Sequence, residues 1–208
     1  MEIVKIFLTI SNILISGGNS LLKTNSCAEK AIPMLDKLKG KGYATDILSE
    51  GKVTHDGASY DYELMDWYPL GSSNAAGIKG NSEAILALTI KTALALDEFH
   101  KAGFVHKDIK PANILIRDKS SWDSVICDFG IADVLTDGKA ITRQSRTPIY
   151  AAPEIYDPKK AKAIVDGENL FEITGKADYY ALGMTILCLW YGESEFQVKE
   201  TDMSITKL

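Results

Sequence analysis

The sequence predicts an α+β protein of two lobes, the first small and rich in strands and the second larger and helical. Short runs of Ile, Val, Phe and Tyr separated by turn residues fill the first third of the chain, and the triplet His-Asp-Gly at 55–57 marks a hairpin within residues 44–67. Residues 69–80 are rich in Gly and Ser, as is typical of a linker. Two apolar helical segments follow, so we expect two units with a cleft between them.

The first elements can be assigned from apolar pattern and proline position. Residues 2–10 are rich in Ile, Val and Phe and predict a strand. A signal peptide is the alternative for residues 1–18, but the charge before the apolar run is weak and a Ser-Asn pair interrupts the run. Residues 26–39 predict a helix that either starts at Pro33 or kinks there, because proline lacks an amide donor and clashes with the preceding turn.

A long helix is predicted from residue 82 to about residue 100. Asn81 or Ser82 can cap its start, and Gly103 can end it. Its apolar residues cover most of its circumference, so we expect the helix to be buried. These residues are Ile85, Leu86, Ile90, Leu94, Leu96 and Phe99. A second helix is predicted around residues 179–191, with an apolar run too short to span a bilayer.

Composition excludes several kinds of protein. The chain has 208 residues, 46% of them hydrophobic and 25% charged, with a net charge of −5. An acidic balance argues against a nucleic acid partner, which needs clustered Lys and Arg. The three cysteines are far apart, which suggests neither a zinc site nor a disulfide framework and suits a reducing, cytoplasmic compartment. We expect no membrane partner, and the sequence leaves the oligomeric state open.

The most specific signal lies between residues 106 and 130. Residues 106–115 read HKDIKPANIL, and residues 127–130 read CDFG. Asp108 and Asp128 could each be ordinary loop carboxylates, and Asn113 a turn residue, but their joint occurrence at this spacing disfavours that interpretation. The pattern resembles the catalytic loop and the Asp-Phe-Gly segment of eukaryotic-type protein kinases.

This resemblance implies ATP- and Mg²⁺-dependent transfer of a γ-phosphoryl group to Ser or Thr hydroxyls of a protein substrate. Asp108 would accept the proton of the acceptor hydroxyl, and Lys110 would reach the transferring phosphate. Asn113 and Asp128 would supply the hard oxygen ligands that Mg²⁺ prefers. A Lys at position 110 is similar to Ser/Thr kinases rather than Tyr kinases.

The resemblance also implies an ATP site before the catalytic loop. Lys5 would grip the α- and β-phosphates, and Glu29 would pair with Lys5; the alternative is that both are solvated surface charges.

The nucleotide base would lie nearer the linker. Met65 would be the gatekeeper beside the adenine pocket, and the backbone near Asp66 and Tyr68 would pair with adenine. Leu115 would pack beneath the base.

Further residues of the resemblance lie around and after the catalytic loop. His106 would be a core histidine whose ring packs on Phe129, and Asp178 would tie down the backbone of the catalytic loop. The stretch around Thr147 resembles the segment that docks the acceptor residue, and Glu154 resembles the end of the activation segment.

Two hydroxyls of the activation segment are candidates for phosphorylation. Thr142 and Ser145 each lie beside an arginine, although Ser and Thr are common in loops for other reasons.

Three departures from the family pattern shape the expectation for this chain. No Gly-rich phosphate loop precedes Lys5, Lys107 stands where the family usually has Arg, and the sequence ends soon after the Asp178 helix. We therefore expect a partial kinase N-lobe over residues 1–68 and a shortened C-lobe over residues 69–208.

Other functions remain open at this level. One is a weakly active, pseudokinase-like binding module or an incomplete kinase fragment. Another is a small-molecule phosphotransferase, against which Lys110 and the segment 147–154 argue.

Overall fold

The computed structural model describes residues 15–16, 20–23, 32–55, 58–143, 147–155, 160–198 and 205–207. The predicted strand at 2–10, together with Lys5, Glu29 and Ser145, lies outside the described residues. The helices are α1 (Ile32–Asp36), α2 (Ser82–Ala102) and α3 (Lys176–Tyr191). The strands are β1 (Ile15–Ser16), β2 (Ser20–Lys23), β3 (Ile47–His55), β4 (Ala58–Asp66), β5 (Phe104–Val105), β6 (Ile114–Asp118), β7 (Asp123–Ile126), β8 (Asp133–Val134), β9 (Ala140–Thr142), β10 (Ala161–Val165), β11 (Glu168–Ile173), β12 (Phe196–Val198) and β13 (Ile205–Lys207).

The first part of the chain forms an antiparallel sheet in the order β1-β2-β4-β3. Strands β3 and β4 pair up to His55 opposite Ala58, which confirms the hairpin predicted from the turn residues. Pro33 is the second residue of the described helix α1, where its missing amide costs no intrahelical hydrogen bond.

Helix α2 begins and ends where the sequence predicts. The Asn81 side chain accepts a hydrogen bond from the backbone N–H of Ala84 at 3.1 Å. Gly103 adopts φ 92°, and its N–H donates to the carbonyl of His100 at 3.1 Å. This left-handed position at the end of a helix favours glycine, which has no Cβ to clash.

The prediction that α2 is buried over most of its circumference is wrong. Leu88, Leu96 and Phe99 are fully buried, whereas Leu86, Ile90 and Leu94 expose 61%, 54% and 50% of their surface. The helix packs on β7 and α3 with one side only, so the apolar residues of the opposite side meet solvent. Apolar content alone cannot show which side of a helix a neighbour will cover.

The main core lies between α2 and α3. The rings of Phe99 and Phe104 stack with centroids 4.9 Å apart, and Phe129 meets Phe99 edge-on at 5.5 Å. Leu182 and Cys188 of α3 pack against this cluster. No helix among the described residues combines the length and apolar character needed to cross a bilayer.

A three-stranded antiparallel sheet in the order β10-β11-β9 lies beside this core. Its β10–β11 turn has Asp166 at φ 53° and Gly167 at φ 80°, the two positive values of a type I′ hairpin. The sequence prediction did not single out this hairpin, although Asp-Gly between apolar runs is a strong hairpin signal. Val105, Phe171 and Ile173 form a second buried cluster under the sheet.

Two leucines on opposite sides of α2 test whether this helix is buried on one side only. Leu88→Ala should lower the free energy of unfolding by about 2–5 kcal/mol, because it leaves a cavity in a fully buried site. Leu86→Ala, on the exposed side, should change it by no more than about 0.5 kcal/mol. Urea titration followed by circular dichroism measures both, and equal losses would contradict the one-sided packing of α2.

Candidate active site

A buried carboxylate holds the loop between β5 and β6 in place. Asp178 lies in the first turn of α3 and is fully buried. The backbone N–H of His106 donates to its Oδ2 at 2.9 Å, and that of Lys107 donates to its Oδ1 at 2.8 Å. Two successive amides of the loop are therefore fixed to one helix.

The same carboxylate has a partner that sequence reasoning missed. His100 Nε2 lies 2.9 Å from Asp178 Oδ2. The two residues are 78 positions apart, so no local signal could have joined them. Gly175 is part of the arrangement, because a Cβ at this position would lie 2.6 Å from the imidazole of His100.

His106 links the loop to the segment before Asp128. The N–H of Asp108 donates to His106 Nδ1 at 3.2 Å, and His106 Nε2 lies 3.1 Å from the carbonyl oxygen of Cys127. A carbonyl only accepts, so Nε2 carries the proton and donates, while Nδ1 is the unprotonated nitrogen. The ring lies edge-on to Phe129 at 4.8 Å, as the sequence analysis expected. Burial lowers the pKa of His106, although the Asp178 carboxylate acts in the opposite direction.

Two residues of the site have strained backbone conformations. Lys107 has φ 70° and Asp128 has φ 66°, both in the left-handed region that L-residues seldom adopt. Such conformations persist when surrounding contacts determine them, and they occur often at functional sites. The ammonium of Lys107 lies 3.6 Å from Asp133 Oδ2, so its charge is balanced within the chain.

The predicted catalytic residues converge on Asp108. Its Oδ2 accepts hydrogen bonds from Lys110 Nζ at 2.7 Å and from Asn113 Nδ2 at 2.9 Å. Asn113 Nδ2 also donates to the backbone carbonyl of Asp108 at 2.8 Å. The hydroxyl of Thr147 lies 3.4 Å from Asp108 Oδ1 and 3.4 Å from Lys110 Nζ. The two oxygens of Asp108 thus differ: Oδ2 is held by two donors, and Oδ1 faces a hydroxyl.

Asn113 and Asp128 lie at the same end of the β6–β7 ribbon. Strands β6 and β7 are antiparallel with Ile114 opposite Ile126, and the N–H of Cys127 donates to the carbonyl of Asn113 at 2.9 Å. The residue that precedes β6 and the residues that follow β7 must therefore be neighbours.

This end of the ribbon suits a hard cation bound with phosphate. The Asn113 amide nitrogen faces Asp108, so its oxygen points away from that residue. Within the described residues there is no group of three or more His, Cys, Asp or Glu that could hold a metal by itself. Mg²⁺ usually needs only one or two protein oxygens besides water and phosphate, which Asn113 and Asp128 can offer.

The residues predicted to surround adenine also lie near the ribbon. Met65 is buried at the end of β4, next to the exposed Asp66. The segment that follows Tyr68 pairs with β6, because Gly71 accepts from the N–H of Ile116 at 3.0 Å and Ser72 bridges to Leu115. Burial, aided by the charge of Asp66, raises the pKa of Tyr68 to about 12. The adenine contacts themselves stay a prediction.

The stretch predicted to be the activation segment is tied to the three-stranded sheet. Thr142 ends β9 opposite Phe171, and its hydroxyl donates to the carbonyl of Arg143 at 3.1 Å. Arg143 pairs with Glu168 at 3.0 Å beside the hairpin turn. Glu154 is half-buried in the short helix Pro153–Ile155.

A cavity of about 920 Å³ opens beside Asp108. Asp108, Lys110 and Thr147 line it, together with residues of β9, β10 and β11. A carboxylate and an ammonium 2.7 Å apart at the edge of such a cavity can accept a proton from an entering hydroxyl and neutralise an anionic group beside it.

The pH dependence of His106 follows from its burial. We expect the ring to stay neutral well below its ordinary pKa of 6.5. The unfolded chain binds this proton near pH 6.5, so the stability linked to His106 is complete above that pH and is lost as the pH falls toward the lower folded pKa.

NMR titration of the histidine Cε1–H signals measures this. The chain has three histidines, and the signal missing from His106→Gln identifies the ring in question. A midpoint at or above 6.5 would contradict the buried, neutral imidazole.

Comparison with known proteins agrees with this fold. A family model described as protein kinase domain matches residues 64–207. The dual specificity mitogen-activated protein kinase kinase hemipterous of Drosophila melanogaster is 37% identical over 119 residues, which are 57% of this chain and 9% of that protein. The serine/threonine-protein kinase PknJ of Mycobacterium tuberculosis is 36% identical over an alignment of 132 positions, which covers 56% of this chain and 20% of that protein.

The solved structures include a relative in fold. The kinase PK-1 of Cydia pomonella granulovirus superposes with a TM-score of 0.67 at 18% identity, over 97% of this chain and 72% of that chain. This likeness supports the predicted two-lobed, kinase-like α+β fold. Because the family model covers most of the chain, and the loop, the ribbon and the Asp178 anchor lie within the matched residues, the chain belongs to the protein kinase family.

Proposed function

We propose that this chain transfers the γ-phosphoryl group of ATP, with Mg²⁺, to Ser or Thr hydroxyls of protein substrates. One observation carries the proposal. Asp108, Lys110 and Thr147 meet at the edge of the cavity, with Lys110 Nζ 2.7 Å from the carboxylate and 3.4 Å from the Thr147 hydroxyl. These are a proton acceptor and a cation at one point that a substrate hydroxyl can reach from the cavity.

Asp108 acts as the proton acceptor. Lys110 and Asn113 hold its Oδ2, which leaves Oδ1 turned toward the side from which Thr147 already presents a hydroxyl. An acceptor Ser or Thr would place its hydroxyl against the same oxygen and lose its proton as the bond to phosphorus forms. The backbone amide of Asp108 is itself held by His106, which fixes the main chain that carries this carboxylate.

Lys110 supplies positive charge to the phosphate in transfer. Its ammonium lies between the carboxylate and the hydroxyl, where it can neutralise charge on the group in transfer. Bound Mg²⁺ would neutralise the phosphates, held by oxygens of Asn113 and Asp128 at the ribbon end. Lys5 and Glu29 are proposed for the phosphates, and Met65, Asp66, Tyr68 and Leu115 for the adenine.

The choice of Ser or Thr as acceptor rests on two supports. Lys110 resembles Ser/Thr kinases, and the relatives named above are a serine/threonine and a dual specificity kinase. The division into an N-lobe over residues 1–68 and a C-lobe over residues 69–208 belongs to this proposal. We place the activity inside the cell, since three cysteines without paired spacing suit a reducing compartment.

Asp108→Asn tests the proton acceptor. The variant should bind nucleotide nearly as well as the wild type but turn over about 10²-fold more slowly, as expected when a general base is lost. Phosphate transfer from radiolabelled ATP to a mixed Ser/Thr peptide pool measures the rate. Asp97→Asn is the matched control, because Asp97 lies on the exposed surface of α2 and pairs only with Lys101 among the ion pairs of the described residues.

Two outcomes would count against the proposal. If Asp108→Asn retains turnover within a few-fold of the wild type, Asp108 is not the base. If the wild type binds nucleotide without any transfer, the chain is a binding module rather than an enzyme.

Asp128→Ala tests the metal role. Its loss should weaken Mg·ATP binding at least about tenfold and leave metal-free nucleotide binding within about twofold, because the cation then lacks its carboxylate ligand. Isothermal titration with Mg·ATP, and with ATP plus chelator, measures both. Asp128→Asn is the control for the backbone, since Asn tolerates φ 66° better than Ala does.

Equal effects on both titrations would instead indicate a general loss of structure at the ribbon end. Unchanged affinity for Mg·ATP would remove Asp128 from the metal site.

A further inference from the structure

The hairpin of β10 and β11, called here the cleft hairpin (residues 161–173), forms one wall of the cavity that contains Asp108. Val165, Leu170 and Ile173 of this hairpin line the cavity, together with Ile141 of β9. Asp108, Lys110 and Thr147 line the same cavity. The hairpin therefore borders the space from which an acceptor hydroxyl would reach Asp108.

Strand register shows which hairpin side chains face the cavity. Val165 pairs with Glu168, Ala163 with Leu170, and Glu172 with Ile141. Side chains of directly opposite residues share a face, and successive residues alternate. Val165, Leu170 and Ile141 therefore lie on one face of the sheet.

Ile164 provides an internal contrast. It pairs with Asn169 and belongs to the other face, where it exposes 71% of its surface and does not line the cavity. Val165 and Ile141 line the cavity and expose 42% and 47% of their surface.

The charged groups of the cavity have partners within the chain. Lys110 pairs with Asp108 at 2.7 Å, and Lys107 with Asp133 at 3.6 Å. Arg143 lies 3.0 Å from Glu168. What the described part of the wall offers to an entering peptide is consequently apolar surface rather than unbalanced charge.

The wall is also fixed in position. Phe171 is fully buried on the other face of the sheet, in one cluster with Val105, the residue directly before the catalytic loop. Strand β11 pairs with β9 over Phe171 to Ile173. The distance between the wall and Asp108 is therefore set by packed core and a β-ladder, not by a free loop.

We propose that the cleft hairpin is a substrate-recognition element, which selects Ser or Thr acceptors flanked by a large aliphatic or aromatic residue. This inference rests on the proposed function, because it assigns the peptide that enters the same site. An apolar side chain next to the acceptor would leave water on contact with Val165, Leu170 and Ile141. A charged side chain there would lose its hydration without gaining an opposite charge.

The test compares peptides on the full chain. A library with one central Ser or Thr and one varied flanking position should show kcat/KM about 10-fold or more higher for Leu, Ile, Met or Phe than for Ser or Glu at one position, the range that differences in apolar contact produce. Val165→Asp should reduce this ratio at least about fivefold and favour Lys at the same position. Ile164→Asp, one residue away on the opposite face, should leave the ratio unchanged.

Peptide binding is measured by fluorescence anisotropy in addition to turnover, so that failure of the recognition proposal can be distinguished from failure of the kinase proposal. Transfer with no apolar preference, or equal changes in Val165→Asp and Ile164→Asp, overturns the recognition role and leaves the kinase proposal standing. Apolar-selective binding that Val165→Asp abolishes, without transfer, supports the recognition wall and overturns the kinase proposal. Neither binding nor transfer for any peptide overturns both.

Discussion

The arrangement of the active site depends on one buried carboxylate. Asp178 has no contact with solvent, and an ionised carboxylate in such a place is costly unless its oxygens are satisfied. Two backbone amides and His100 satisfy them, and the N-terminus of α3 adds the favourable end of a helix dipole. The attraction that stabilises the charge is thus the same attraction that positions the loop.

Asp178 positions the rest of the site through hydrogen bonds to the backbone rather than through side-chain salt bridges. His106, held at its amide, uses one ring nitrogen to fix the amide of Asp108 and the other to fix the carbonyl of Cys127. A single neutral imidazole therefore holds the backbone at Asp108 and at the residue before Asp128. A protonated ring would have two donors and no acceptor for the Asp108 amide, so burial that keeps the ring neutral also keeps the site assembled.

Much of the candidate site could be predicted from the sequence, because the spacing of Asp108, Asn113 and Asp128 along the chain already indicates the chemistry. Helix caps and turns could be predicted equally well. Asn81 and Gly103 mark the two ends of α2, and the strand pairing at His55 follows from local turn residues. These features share a physical reason, which is that each is determined by residues close together in the chain.

Other features could not be predicted for the opposite reason. Which side of α2 is covered depends on where β7 and α3 lie, and the His100 contact joins residues from different helices. The cleft hairpin carried a readable Asp-Gly turn, yet its pairing with β9 and its place on the cavity are tertiary facts. The candidate site residues could be predicted from the sequence, whereas the surface that a substrate would meet could not.

The two halves of the site differ in the conformational entropy that the chain loses when it closes to form them, because one half is joined by the local β6–β7 ribbon. Cys127 meets Asn113 across a separation of 14 residues, whereas His106 meets Asp178 across 72. The longer closure is a little over two doublings of the shorter, at about 0.6 kcal/mol for each doubling. The end of the ribbon proposed to bind metal can therefore form within a short stretch of chain, whereas the position of the loop that carries Asp108 depends on a contact that reaches from residue 106 to residue 178. Loss of long-range packing would disturb the proposed proton acceptor before the proposed cation site.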